Sequence, residues 1–334
     1  MMKKTNLLTT LPLVLALLAF SYRAAAAPKE IAELRELANQ LIGPIPDRMP
    51  GADKDTPALI SLGKKLYFEN KLSVNNSISC NSCHRVDQNL GGVDNEPTSP
   101  GAFAKRGGRN SPTTLNAGFQ AAQFWDGRAT DLVAQAKGPV LNPVEMAMPD
   151  EKVVIQRLSS DPGYTKEFAG AFPGDKSPIS YDNVARAIAA FERTLVTRDR
   201  FDDFQKGQDG ALQGDELKGA KLFLSIGCAS CHNGPVIGGS LYMKVGLIHP
   251  YPTSDLGRYD VTKEEDDKQK FKVPMLRNIA ITGPYFHDGS VKTLEDAVRK
   301  MAHHQLDKKL TDDEVKQLVA FLKALTDKSR ASAR

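Results

Sequence analysis

The chain has 334 residues, 41% of them hydrophobic and 25% charged, which permits a buried core, argues against wholesale disorder and suits two domains of ordinary size. Its formal charge of +4 includes Lys3, Lys4 and Arg23 in an amino-terminal stretch without acids, so the remainder carries +1. That balance excludes a nucleic-acid binder that works through a basic surface.

In chain order, residues 1–26 read as a signal peptide. Lys3 and Lys4 form the positive region, an apolar run extends from Leu7 to Phe20, and Ala24 to Ala27 supply small residues, with cleavage expected after Ala26. The run is shorter than the roughly 20 residues of a membrane-spanning helix, and no later stretch is long and apolar enough to cross a bilayer. The mature chain is therefore expected in a bacterial periplasm. A short helix around Gly63-Lys64-Lys65-Leu66-Tyr67-Phe68 leads to Cys80-Asn81-Ser82-Cys83-His84, and a glycine- and proline-rich loop spans Gly91 to Pro112. Trp125, the only tryptophan, lies in Phe124-Trp125-Asp126-Gly127; Glu145 lies in the proline-bounded Pro143-Val144-Glu145-Met146. A helix is predicted from Asn183 to Val196, with Val184, Ala187, Ile188, Phe191 and Leu195 on its buried side. Gly219-Ala220-Lys221-Leu222-Phe223 then precedes Cys228-Ala229-Ser230-Cys231-His232, followed by a second loop from Gly234 to Pro252. The charged run Lys263 to Lys268 reads as a solvated loop. A helical stretch from Leu294 carries Met301. The last helix opens with a capping box, Thr311-Asp312-Asp313-Glu314, and presents Val315, Leu318, Val319, Leu322 and Leu325 on one face.

The cysteines are Cys80, Cys83, Cys228 and Cys231, and each pair is followed at once by a histidine. Cysteines of an exported protein ordinarily form disulfides, and CxxC alone also suits a thioredoxin-like pair or a four-cysteine zinc site. Neither explains a histidine after both pairs. CxxCH is the attachment pattern of c-type haem, in which both thiols bond the porphyrin and the histidine becomes the proximal iron ligand. Two covalent haems are expected.

The strings around the two sites repeat. Gly91-Gly92 matches Gly238-Gly239, Pro112 to Asn116 matches Pro274 to Asn278, and Phe124-Trp125-Asp126-Gly127 matches Phe286-His287-Asp288-Gly289, so the chain reads as an internal duplication. The second axial position of each iron separates electron transfer from catalysis. No histidine lies between His84 and His232, which leaves Met146, Met148, Lys105, water or an empty position for the first haem. Met243, Met275 and Met301 are the candidates for the second, and Met301 lies where a class I cytochrome places its methionine. An open iron beside a carboxylate is a peroxidase arrangement, because cleaving a peroxide requires a proton to move from one oxygen to the other. Glu145 is the candidate carboxylate, against the reading of a surface acid; Trp125 either bridges two haems or packs in a core. His249, His287, His303 and His304 read as structural.

These residues resemble the bacterial dihaem cytochrome c peroxidases over nearly the whole mature length. The matching strings include Gly107 to Thr113, Ala121 to Arg128, Lys137-Gly138-Pro139-Val140, Val144-Glu145-Met146 and Pro284 to Gly289. The resemblance implies a mainly α fold of two class I cytochrome c-like domains, each with one covalent haem c, the haems near the domain interface. Residues 27–200 would form the peroxidatic, low-potential domain and 201–334 the electron-transfer, high-potential domain. It further implies a periplasmic homodimer reducing hydrogen peroxide to water with electrons from a small cytochrome c or a cupredoxin. Carried over, His84 is the proximal ligand of the peroxide-binding haem, His232 and Met301 are the axial pair of the other, Glu145 is the catalytic carboxylate and Trp125 the inter-haem tryptophan. A calcium ion between the haems would take the side chain of Asn110 and the carbonyls of Thr282 and Pro284. One position departs from the family pattern: Ala102 stands where many members place a distal histidine, so this enzyme is expected to act without prior reduction of the high-potential haem. The rivals are a plain dihaem electron carrier and the related enzymes that oxidise tryptophans of a partner protein, which carry tyrosine where this chain has Met301.

Overall fold

The computed structural model describes residues 28–331, and the leader expected at residues 1–26 lies outside them. Helix α1 covers 28–41. It is followed by α2 (Pro57–Tyr67), α3 (Cys80–Cys83), α4 (Leu132–Leu141), α5 (Glu151–Ser159), α6 (Pro162–Ala171) and α7 (Tyr181–Glu192). The second half holds α8 (Arg200–Gln205), α9 (Asp215–Ser225), α10 (Tyr259–Thr262), α11 (Leu294–Leu306) and α12 (Asp312–Ala324). Among the described residues the one sheet is an antiparallel ribbon of β1 (Tyr242–Lys244) and β2 (Lys270–Lys272), with Met243 opposite Phe271. None of the described helices is long and apolar enough to cross a membrane.

Side-chain caps explain where most helices start. Thr56, Asp131, Asp150, Ser180, Thr293 and Thr311 each accept a hydrogen bond from a first-turn backbone N–H, and Thr311 with Glu314 completes the expected capping box. Each half is then built on one helix crossing. Helix α2 packs on α7 and α9 packs on α12. At these crossings a Cβ on Gly63 would lie 1.8 Å from the Ala187 carbonyl oxygen, and one on Gly219 would lie 1.9 Å from that of Gln317. Only hydrogen fits there, so the glycine that opens each repeat string is the point where two helix backbones touch.

The duplication is visible residue by residue. Asn116 and Asn278 hold left-handed φ values of 61° and 67°, and Phe124 and Phe286 of 67° and 69°. The two asparagines also meet: Asn116 Nδ2 donates to Thr197 Oγ1 at 2.7 Å and Asn278 Nδ2 donates to the same oxygen at 3.1 Å. The repeats are thus stitched at one buried threonine between α7 and α8.

Two expectations need correction. The helix predicted from Asn183 to Val196 runs from Tyr181 to Glu192, because Ser180 caps it two residues earlier. Beyond Glu192 the N–H groups of Thr194 and Leu195 donate to the Phe191 and Glu192 carbonyls, three residues back, and the Leu195 carbonyl accepts from Asn116 N at 2.9 Å. The run from Lys263 to Lys268 is a largely exposed loop, as expected, in which Asp267 takes a hydrogen bond from Thr262 Oγ1 at 2.9 Å and pairs with Lys270 at 3.0 Å. Finally, α1 packs outside the half suggested by its sequence position. Its Leu34 and Ala38, with Ile42 just beyond, join Phe201, Phe204 and Phe223 in the core of the second half, and Arg35 Nε donates to the Phe204 carbonyl at 2.8 Å.

Candidate functional site

Two cavities open beside the CxxCH segments, one in each half, and they share a wall formed by Asn110, Pro112, Gln120, Trp125 and Lys272. In the first half, Ser79 and Ser82 form a capping box that starts the single turn of α3, placing Cys80 and Cys83 one turn apart on the cavity wall. The chain leaves the helix at His84, whose Nδ1–H donates to the Pro112 carbonyl at 2.9 Å. Cys228 and Cys231 sit on a 3-10 turn opened by Gly227, whose φ of 116° is left-handed, and His232 Nδ1–H donates to the Pro274 carbonyl at 3.2 Å. A carbonyl can only accept, so in both rings the proton sits on Nδ1 and the Nε2 lone pair is left free for a metal. Pro112 and Pro274 are equivalent positions of the repeat.

The thiols reside in apolar surroundings. Burial pushes Cys83 and Cys228 up to about 11, Cys80 higher still, and Cys231 upward. The four thiols do not meet in one place: Cys80 and Cys83 line the first cavity and Cys228 and Cys231 the second, which excludes a four-cysteine zinc cluster. No group of three or more His, Cys, Asp or Glu able to hold a metal occurs among the described residues. Burial also lowers both imidazoles, His232 to about 4. Paired thiols, a neutral imidazole with one nitrogen free and a large cavity together fit a covalently attached haem.

The two cavities differ. The first, about 680 Å³, is lined by Arg106, Arg109, Arg128, Asp126, Glu145 and Glu192 among others. The second, about 240 Å³, is mostly aliphatic and aromatic. Glu145 stands in the first wall on a tight loop, with Asn142 Nδ2 donating to its Oε1 at 2.8 Å. Burial raises its carboxyl above the usual glutamate range, while the Arg128 charge and the Asn142 bond pull it back. Trp125 lines both cavities, and its Nε1–H donates to the Asn110 carbonyl at 2.8 Å, which fixes the ring in the shared wall.

Ala102 lies in a loop closed directly onto the Glu145 segment: Ala102 N donates to the Glu145 carbonyl at 2.8 Å, and its own carbonyl accepts from Asn75 Nδ2 at 2.6 Å. Of the substitutes considered for a sixth ligand, Lys105 is exposed and Met148 is buried in the first core away from the cavity wall. Met146 reaches the wall but packs in that same core. In the second cavity Met243, Met275 and Met301 all line the wall, Met301 from α11. Asn110, Thr282 and Pro284 all line this second cavity. Asn110 Nδ2 donates to the Glu96 and Pro97 carbonyls, which turns Oδ1 away from them, and the Thr282 and Pro284 carbonyls accept no hydrogen bond among the described residues.

His287 is buried, stacks on Phe271 at 4.1 Å between ring centres and faces Thr253 Oγ1 at 3.1 Å. His249 and His303 stack at 4.3 Å, and His249 Nε2 bonds Asp307 at 2.6 Å. Several wall residues carry no local sequence signal of their role. Arg109 grips Asp255 through two nitrogens at 2.7 and 2.8 Å and Asp126 at 2.6 Å, tying the first loop to the second half. Glu192, raised by burial to about 8, has no partner at Oε2. Lys272 closes the shared wall.

A family model described as di-haem cytochrome c peroxidase matches residues 57–210, and one described as cytochrome c matches residues 217–326. Both halves are therefore cytochrome c-like domains, and the chain is a two-haem c protein. It is 45% identical to the cytochrome c551 peroxidase of Pseudomonas aeruginosa, over 95% of this chain and 92% of that one. It is 47% identical to the cytochrome c551 peroxidase of Nitrosomonas europaea, over 86% and 85% of the two chains. The crystal structure of a MauG-like protein associated with microbial copper homeostasis superposes with a TM-score of 0.77 at 29% identity, covering 86% of this chain and 95% of that one. The chain belongs to the di-haem cytochrome c peroxidase family and is an enzyme of that class.

Proposed function

We propose that the protein is exported by its leader, residues 1–26, and works in the periplasm as a homodimer that reduces hydrogen peroxide to water. Its electrons come from a monohaem cytochrome c or a cupredoxin. Residues 27–200 form the peroxidatic domain and 201–334 the electron-transfer domain, with α1 docked on the latter. Cys80 and Cys83 would hold the first porphyrin and His84 its iron; Cys228 and Cys231 would hold the second, with His232 and Met301 as the residues offered to its iron. When bound, the two haems supply the peroxide-binding iron and the store for the second electron, since such donors deliver electrons singly. The observation that carries the reading is Glu145: a half-buried carboxyl, held by one hydrogen bond, in the wall of the cavity that contains His84.

Glu145 takes the proton from one peroxide oxygen and returns it to the other as the bond between them breaks. Asn142 holds the carboxyl in one orientation, and neither Ala102 nor the exposed Lys105 of its loop lines the cavity, so the pocket is ready at rest. Trp125, fixed by Asn110, stands in the wall between the two cavities on the electron path. The unengaged oxygens at Asn110, Thr282 and Pro284 suit a calcium ion, a hard cation that takes oxygen ligands. Replacement of Glu145 by Ala or Gln tests the assignment. Both haems should remain while turnover of ferrocytochrome c with peroxide falls by about 10²–10⁴-fold, the usual worth of a positioned acid–base group. Turnover at the parent rate would remove Glu145 from the chemistry.

A further inference from the structure

Lys272, the last residue of β2, is 5% exposed and lines both cavities. Its backbone N–H donates to the Trp125 carbonyl at 2.7 Å, which fixes the strand end against the inter-cavity tryptophan. Its ammonium donates to Gln120 Oε1, a neutral partner. Among the described residues no carboxylate lies within ion-pair distance of it. Asp126 is the charge whose field reaches it, and that carboxylate is already taken by Arg109 and Arg128. Burial lowers the ammonium to about 8. A buried cation facing only an amide is a costly arrangement unless a further anion arrives.

The second cavity offers the propionates of a haem few charged partners. Its wall contains no Arg, Asp or Glu, and Lys272 is its one lysine. His287 offers no charge, because burial lowers its imidazole below the ordinary value. A haem carries two propionates, and a propionate that faces this wall has one cation to meet. The first cavity, by contrast, has Arg106, Arg109 and Arg128.

We propose that Lys272 is the counter-ion of a propionate on the C-terminal haem and, through that pair, a positioning residue that holds this haem's reduction potential up. The proposal rests on the two-haem reading above. A fixed positive charge beside the porphyrin favours the reduced iron, which carries one positive charge fewer. Pairing also returns the lysine to its charged form across the neutral range.

The test is a spectroelectrochemical titration of the purified holoprotein, with two haems per chain verified by pyridine haemochrome. Lys272→Met should make the C-terminal haem at least tenfold harder to reduce, a drop of about 59 mV for a one-electron couple. The N-terminal haem should respond less, and Lys272→Arg should stay close to the parent. The parent potential should be flat from pH 6.5 to 9, whereas Lys272→Met should become pH-dependent near neutrality as the unpaired propionate titrates. Two haems with an unchanged potential in Lys272→Met would overturn the proposal alone. So would a parent potential that falls tenfold in equilibrium constant per pH unit through pH 8, the behaviour of a lysine without an anion; this arm holds even if Lys272→Met fails to fold. Fewer than two haems in the parent would overturn the two-haem reading itself.

Discussion

The two halves share a frame and differ in their walls. Each has a glycine at the crossing of two helices, a CxxCH turn, a proline carbonyl on the histidine Nδ1 and a left-handed asparagine anchored at Thr197. On that common frame the first half places Glu145, Glu192 and three arginines around a wide cavity, and the second a narrow apolar one with three methionines. The comparison teaches that the frame specifies where a haem is held, and the loops between the repeat strings specify what its iron does. Trp125 and His287, equivalent in the repeat, show the same division: one lines both cavities, the other lines the second cavity alone.

Removing one haem at a time breaks the comparison most severely. Cys80→Ser with Cys83→Ser should leave one haem per chain by pyridine haemochrome, abolish peroxide turnover and retain the spectrum of the C-terminal haem. The corresponding change at Cys228 and Cys231 should leave an iron that still reacts with peroxide but does not sustain turnover with a cytochrome donor. Smaller effects test the frame itself. Gly63→Ala and Gly219→Ala each force a methyl into a backbone carbonyl and should destabilise their own half by about 1–3 kcal/mol or more, read from chemical denaturation followed at each haem. Equal losses would support the duplicated frame; a loss at one glycine only would show that the crossings are not equivalent. The smallest effect is a pH shift. Glu145 is raised by burial and must be ionised to accept a proton, so kcat/KM should fall as pH drops through a value above the ordinary glutamate range. Arg128 lowers that value, so Arg128→Gln should move the acid limb to higher pH, and an unmoved limb would detach Arg128 from Glu145.

What could be read from the chain was local. CxxCH spacing, the Thr311 capping box and the repeated strings act within one or two turns, and the structure reproduces them in place. Residues set by long-range packing were not legible. Helix α1 chooses the second half because Phe201 and Phe204, far along the chain, offer it an apolar groove. The α7 helix stops at Glu192 because the next N–H groups leave the helical pattern, Thr194 donating to the Phe191 carbonyl and Leu195 to that of Glu192, while the backbone of Asn116 pins Leu195. Glu192 and Lys272 look like ordinary charged residues in sequence, and only the fold shows that both are buried in haem-cavity walls. The Ala102 loop lies between these cases: its missing histidine is plain in the sequence, but its closure onto Glu145 is not.

The unequal walls imply unequal irons. An EPR spectrum of the fully oxidised protein, as isolated and then with cyanide, tests this most directly. The account predicts one low-spin haem that ignores cyanide and one high-spin haem that cyanide converts to low spin. Two low-spin haems in the resting protein, neither altered by cyanide, would contradict it.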